Sequence, residues 1–174
     1  MKHFLIVVDM QKDFIDGALG TAEAVAIKPA VAEKIRGFRG TVFATLDTHG
    51  EAYMQTAEGR HLPVVHCVKG TPGWELDPEI AAALDARGAE RVEKPTFGSL
   101  VLPQRIEDAA AGEDFDLTLV GLCTDICVVS NALLLKARFH EKEVCVDAAC
   151  CAGVTPEKHS AALEVMRSCQ INVL

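Results

Sequence analysis

The sequence predicts an α/β fold, a parallel sheet covered by helices on both faces, and three observations carry that prediction. Strand-like and helix-like segments alternate along the chain. The strand-like segments are continuous apolar runs, not the in-and-out alternation of a sheet with one wet face. The helix-like segments repeat apolar residues every three or four positions.

Taken in order, His3 to Val8 reads as a strand that Asp9 ends. Ala22 to Phe38 reads as a helix, with Ala24, Ile27, Val31, Ile35 and Phe38 on one stripe. Thr41 to Leu46 is the next strand and completes a βαβ opening. Asp47 to Gly73 reads as a long irregular stretch. An Ala-rich helix then starts at Asp77-Pro78 and runs through Ala86, with Gly88 as its stop. Arg91 to Glu93 forms a short strand before Lys94, and Leu100 to Ala111 a helix. Leu117 to Leu122 is a buried strand, and Thr124 to Phe139 a long helix. Glu143 to Val146 is a strand, Pro156 to Ser168 a helix with proline in its first turn, and Ile171 to Leu174 a last strand. Where a dinucleotide fold would carry G-x-G-x-x-G, this chain has Asp9-Met-Gln-Lys-Asp13, so no organic dinucleotide cofactor is expected.

A chain of 174 residues, 49% of them hydrophobic, suffices for one core, so one domain over 1–174 is expected. Lys and Arg number 17 against 25 Asp and Glu, a net charge of −8, with no basic cluster to track phosphates; nucleic acid is not an expected partner. No apolar run approaches a membrane span, and Lys2 precedes a brief apolar run without a cleavage site. The expectation is a soluble, cytoplasmic protein. Its seven cysteines are odd in number and lack paired CxxC spacing, which argues against a disulfide framework and a cysteine-rich zinc site. Cys145 and Cys169 read as small buried hydrophobes. The Val128–Leu135 stretch carries more apolar residues than one helix face needs, which leaves two readings: a homo-oligomer contact, or a helix buried within its own domain.

Cys127 occupies the position chemistry would choose. It falls in the first turn of a helix, where unpaired N–H groups and the positive dipole end gather, and where a thiol pKa drops from about 8.5 toward neutrality. Asp9 and Lys94 also terminate strand-like runs. If those strands are parallel and adjacent, an acid, an ammonium and a thiol meet at one sheet edge. Asp47-x-His49 follows a strand and His66 returns from the long loop, a set suited to a divalent ion.

Five segments, Val7-Val-Asp-Met-Gln-Lys-Asp-Phe14, Asp47-Thr-His49, His66-Cys-Val-Lys-Gly-Thr71, Lys94-Pro-Thr-Phe97 and Gly121-Leu-Cys-Thr-Asp-Ile-Cys-Val128, together resemble the isochorismatase-like cysteine hydrolases, in particular their nicotinamidase branch. The resemblance spans nearly the whole chain in the right order. It implies a three-layer α/β/α fold with a six-stranded, mainly parallel sheet, and an Asp-Lys-Cys catalytic triad at Asp9, Lys94 and Cys127. It further implies a cis peptide before Cys123, with the N–H groups of Cys123 and Cys127 forming an oxyanion hole.

The resemblance extends to the metal-binding nicotinamidases. It implies a site of Asp47, His49 and His66 completed by a fourth ligand, for which Glu58 is favoured and His61 stays open, holding zinc, or manganese or iron. In such enzymes the metal takes the pyridine nitrogen and aromatic side chains sandwich the ring. Phe14 matches one wall, while Leu62-Pro-Val-Val65 stands where the other is usual; Trp74, Tyr53 and Phe97 are candidates to replace it. Phe14, Gln11 and Trp74 are the expected substrate contacts. The reaction implied is hydrolysis of a small carboxamide through a Cys thioester with release of ammonia, foremost nicotinamide to nicotinate, a step of NAD salvage. A metal-independent carbamoyl or ureido amidohydrolase is the alternative within the superfamily. A redox sensor using Cys123 and Cys127 is the alternative outside it.

Overall fold

The computed structural model describes residues 1–174, and its spine is a sheet of six strands, all parallel. The strands are β1 (Lys2–Val8), β2 (Thr41–Asp47), β3 (Glu90–Lys94), β4 (Phe115–Leu122), β5 (Glu143–Ala152) and β6 (Asn172–Val173), and they lie side by side as β3-β2-β1-β4-β5-β6. Seven α-helices accompany them: α1 (Lys12–Ile15), α2 (Ala22–Gly37), α3 (Ala57–His61), α4 (Pro78–Ala86), α5 (Leu102–Ala110), α6 (Val129–Arg138) and α7 (Pro156–Ser168). None is long and apolar enough to cross a membrane.

The apolar strand runs follow from burial on both faces. Phe4, Ile6 and Val8 of β1 enter a core with Ile106 of α5, Leu135 of α6 and Met166 of α7. Leu5 and Val7 point the other way, to Val31 and Ile35 of α2 and Leu84 of α4. Neither sheet face meets water, so every β1 position from Phe4 to Val8 is apolar and fully buried.

The strand order reverses between β1 and β4, a switch point at which a crevice opens beyond the carboxyl ends of the strands. Register brings those ends level: Val8 pairs with Thr45 and with Gly121, and Asp47 with Lys94. Gly121 has φ +116°, and a Cβ there would overlap the Val8 carbonyl oxygen, so only glycine lets β4 lie this close to β1.

Several elements depart from the sequence-based expectation. The stretch expected to be irregular holds a 3-10 turn at Tyr53–Gln55 and the short α3, and α1 comes directly after β1. The expected helix from Thr124 to Phe139 is divided. The Val128 N–H reaches back five residues to the Cys123 carbonyl at 3.0 Å, which makes Thr124–Val128 a π-helical turn ahead of α6. β5 runs on past Val146 to Ala152, its pairing with β4 shifting between Leu119 and Gly121. Asp147, drawn out by a 2.8 Å ion pair to Lys34, breaks the apolar run and hides the continuation. Of the two cysteines expected to be buried, Cys145 is, whereas Cys169 caps α7 in solvent.

Candidate active site

Asp9 leaves β1 in the left-handed region at φ +47°, a conformation that Asp tolerates better than most residues. Its N–H donates to the Thr45 carbonyl at 3.2 Å and its carbonyl accepts from Gln11 N–H at 2.8 Å. The carboxylate turns inward: the Thr45 hydroxyl donates to Oδ1 at 2.6 Å, and Oδ2 meets Lys94 Nζ at 2.5 Å. Lys94, the last residue of β3 and 1% exposed, also donates to the Thr96 carbonyl at 3.0 Å and lies 3.5 Å from Cys127 Sγ. The structure therefore brings positions 9, 94 and 127 together.

Burial dominates the electrostatics. It raises the Asp9 pKa, with the Lys94 charge opposing it. It works against the Lys94 ammonium as well, but Asp9, Cys127 and Asp47 outweigh it and the lysine stays charged. The thiol departs from expectation. Burial first, then the Asp9 charge, push the Cys127 pKa well above its ordinary value despite Lys94 and the helix turn, so the resting sulfur is a protonated thiol facing a carboxylate. The Leu122–Cys123 peptide is cis, and the Cys123 N–H donates to no group of the fold, leaving it free for a ligand.

Beside this trio Asp47, His49, Glu58 and His66 converge, one ligand atom from each lying within 4.8 Å of all the others. His49 Nε2 is 2.9 Å from Asp47 Oδ2, His66 Nε2 is 3.5 Å from the same oxygen, and Glu58 Oε1 is 3.7 Å from both imidazoles. His66 Nδ1 lies 2.8 Å from the Val64 carbonyl, which fixes the ring proton there and aims the Nε2 lone pair at two carboxylates. That arrangement asks for a cation in its midst: burial works to lower the His66 pKa, but Asp47, the Val64 carbonyl and Glu58 outweigh it and raise it. Asp47 Oδ1, buried, receives no hydrogen bond. Two imidazoles and two carboxylates suit a divalent ion of the zinc class. His61 stands apart, exposed, with Nδ1 held by the Ala57 carbonyl at 2.8 Å.

Two expected substrate contacts are corrected. Gln11 is fully buried and spends its amide on backbone: Nε2 donates to the Asp47 and Trp74 carbonyls and Oε1 accepts from Asp47 N–H, each at 2.8 Å. It seats Asp47 and does not face a ligand. Trp74 donates from Nε1 to Thr48 Oγ1 at 2.9 Å and faces a separate cleft with Lys12, Glu75 and Arg91. Tyr53 is no wall either, since it packs under His49 and His66 at 4.8 and 4.9 Å between ring centroids. Phe14 and Phe97 both line the small chamber of about 40 Å³ that holds Cys127, Cys123, Asp47, Glu58 and His66. Of the candidates for a second ring beside Phe14, Phe97 lines this chamber and Trp74 does not.

Sequence reasoning assigned no role to several supports, Asp13 and Ile126 among them although they stand within the motif segments. Thr45 was one apolar-strand position among six, and Leu19 and Ile126, which line the chamber, read as ordinary hydrophobes. Asp13 Oδ2 accepts the Cys67 N–H at 2.8 Å and so fixes the segment that delivers His66. Asn131 of α6 accepts from Ser99 N–H at 2.9 Å and donates to the carbonyls of Phe97 at 3.1 Å and Cys127 at 2.8 Å.

Residues 3–174 match the family model of the isochorismatase domain. The nicotinamidase/pyrazinamidase of Mycobacterium tuberculosis is 31% identical over 191 residues, spanning 98% of this chain and 97% of that one. Among solved structures, nicotinamidase/pyrazinamidase PncA from Bacillus subtilis superposes with a TM-score of 0.83 at 25% identity, covering 99% of both chains. Pyrazinamidase of Pyrococcus horikoshii in complex with zinc does so with a TM-score of 0.79 at 30% identity, covering 100% of this chain and 99% of that one.

Proposed function

Because this chain belongs to the isochorismatase family, in its nicotinamidase branch, we propose that it hydrolyses nicotinamide to nicotinate and ammonia through a thioester on Cys127. It is a hydrolase of amide C–N bonds. The carrying observation is that the buried Lys94 ammonium lies 2.5 Å from Asp9 and 3.5 Å from the Cys127 sulfur.

The thiol rests protonated, so attack and proton transfer are coupled. Asp9 takes the Cys127 proton as the sulfur adds to the carboxamide carbon, and Lys94 holds Asp9 charged and in place until then. The oxygen that becomes negative is received by the N–H groups of Cys123 and Cys127; losing one such donor typically costs about a hundredfold or more in rate. Asp9 returns the proton to the nitrogen, ammonia leaves, and the thioester is cleaved by water that Asp9 deprotonates. Phe14 and Phe97 hold the ring between them. A divalent ion, zinc in our assignment, held by Asp47, His49, Glu58 and His66 would supply a Lewis acid that anchors the ring nitrogen; the zinc complex of the Pyrococcus relative supports that identity.

The test is ammonia release from nicotinamide by metal-loaded enzyme, together with its loss in Cys127→Ala. Normal turnover by that variant would refute the mechanism. The four-donor cluster speaks against a metal-independent carbamoyl amidase. A redox sensor needs an accessible thiolate, and burial instead pushes Cys123 up to about 12 and Cys127 well above its ordinary value.

A further inference from the structure

We infer that the enzyme takes, beyond nicotinamide itself, nicotinamides that carry an apolar arm on the ring, on the edge away from the carboxamide and the ring nitrogen, and that the arm is bound in a vestibule outside the catalytic chamber. The inference rests on the amidohydrolase reading above and adds the substrate class. The chamber around Cys127 has a free volume of about 40 Å³, far below the roughly 300 Å³ at which small-molecule pockets begin. It continues outward into a cavity of about 550 Å³, the two sharing Glu58, Leu62, Phe97 and Ile126 as common wall. The larger volume therefore lies beside the chamber, on the side of those four residues.

Its walls are suited to hydrocarbon. Leu62 and Phe97 stand 37% and 42% exposed at the doorway, and Ala57 extends the apolar lining outward. Apolar surface left in water at the mouth of a site is surface that a ligand gains by covering. Of the polar groups at the rim, Glu58 belongs to the four-donor cluster and His61 is tied through Nδ1 to the Ala57 carbonyl, which leaves Thr96, an uncharged side chain, as the remaining polar group on the wall. No cation lines the vestibule to receive an anionic tail. With the amide carbon at Cys127 and the ring nitrogen toward the Asp47 cluster, two meta positions of the ring face inward. Ring carbon 5 then points outward, and an arm on it enters the vestibule.

The experiment compares nicotinamide with 5-butylnicotinamide on the zinc-loaded enzyme, in wild type and in Ala57→Trp, whose added ring would fill the vestibule from its outer side. Each methylene fully withdrawn from water is worth about fourfold in kcat/KM, and an arm lying in an open vestibule is only partly withdrawn. The butyl amide should therefore exceed nicotinamide by roughly tenfold, mainly through a lower KM. Ala57→Trp should leave nicotinamide within about twofold and erase the butyl advantage. Turnover of nicotinamide with the butyl amide slower than it would overturn the vestibule assignment and leave the amidohydrolase reading standing, as would equal losses on both substrates in the variant. Turnover of neither substrate by wild type would overturn both.

Discussion

Lys94 Nζ lies 3.5 Å from Asp47 Oδ1, so the ammonium beside the Cys127 sulfur also borders the four-donor cluster. One buried ammonium thus balances two carboxylates, Asp9 and Asp47, from two different strand ends. Replacing it with Met keeps the length and removes the charge, leaving Asp9 buried without a partner. Breaking such a pair costs about 3–5 kcal/mol, and Lys94→Met should lose that much in denaturant unfolding along with at least ~1,000-fold in ammonia release. Loss of a cation beside Asp47 should at the same time tighten divalent-ion binding, a change opposite in sign to general damage. Turnover within tenfold of wild type would remove Lys94 from the chemistry.

Thr45 donates its hydroxyl to Asp9 Oδ1 at 2.6 Å, a bond that favours the carboxylate form of a group whose pKa burial already raises. Thr45→Val removes the bond without opening a cavity. The Asp9 pKa should rise further, and since attack needs Asp9 unprotonated, the acid limb of kcat/KM against pH should move to higher pH. On that limb the loss should be about tenfold, in line with a hydrogen bond to a charged group, and it should shrink toward the alkaline side. A limb that stays where it is in wild type would mean that another group sets it.

The two candidates for the fourth metal position separate cleanly by geometry. Glu58 Oε1 sits 3.7 Å from both His49 and His66 Nε2, whereas His61 is turned out to solvent. Glu58→Gln should lower divalent-ion affinity at least about a hundredfold, and His61→Gln should leave it unchanged; metal content after dialysis against a weak chelator reads this directly. Stripping the ion from wild type should lower Tm, because an ion bound to the folded state alone stabilises it by mass action. A Glu58→Gln protein that keeps a full equivalent of metal would exclude Glu58 as a ligand.

What could be read in the sequence divides along physical lines. Continuous apolar runs such as Phe4-Leu-Ile-Val-Val8 announce a sheet buried on both faces, and residues ending such runs, Asp9, Asp47 and Lys94, announce its carboxyl edge. Those signals are local. Gln11 and Trp74 were misplaced because position after a strand does not tell which way a side chain turns: Gln11 turns back to the Asp47 backbone and Trp74 toward Thr48. The thiol pKa was misjudged because helix position and a neighbouring lysine are visible in sequence, whereas near-complete burial beside a carboxylate is not. The π-turn was missed because one residue added to a helical turn leaves the apolar spacing nearly intact while rotating the α6 residues beyond it.

Asn131 is the support whose loss should be most telling. Its side chain accepts from Ser99 N–H and donates to the carbonyls of Phe97 and Cys127, joining the loop after Lys94 to the turn that carries the sulfur. Leu is close in volume but leaves one buried donor and two buried acceptors unmet, so Asn131→Leu should cost about 2–3 kcal/mol of stability. Stability alone would not lower turnover at a temperature where the variant is fully folded. Because both Phe97 and the turn that carries the Cys127 sulfur lose their anchor, kcat/KM for nicotinamide should still fall at least about tenfold there, with KM rising and kcat falling together. Wild-type kcat/KM in a fully folded Asn131→Leu protein would show that the side chain serves packing and not the placement of the reacting groups.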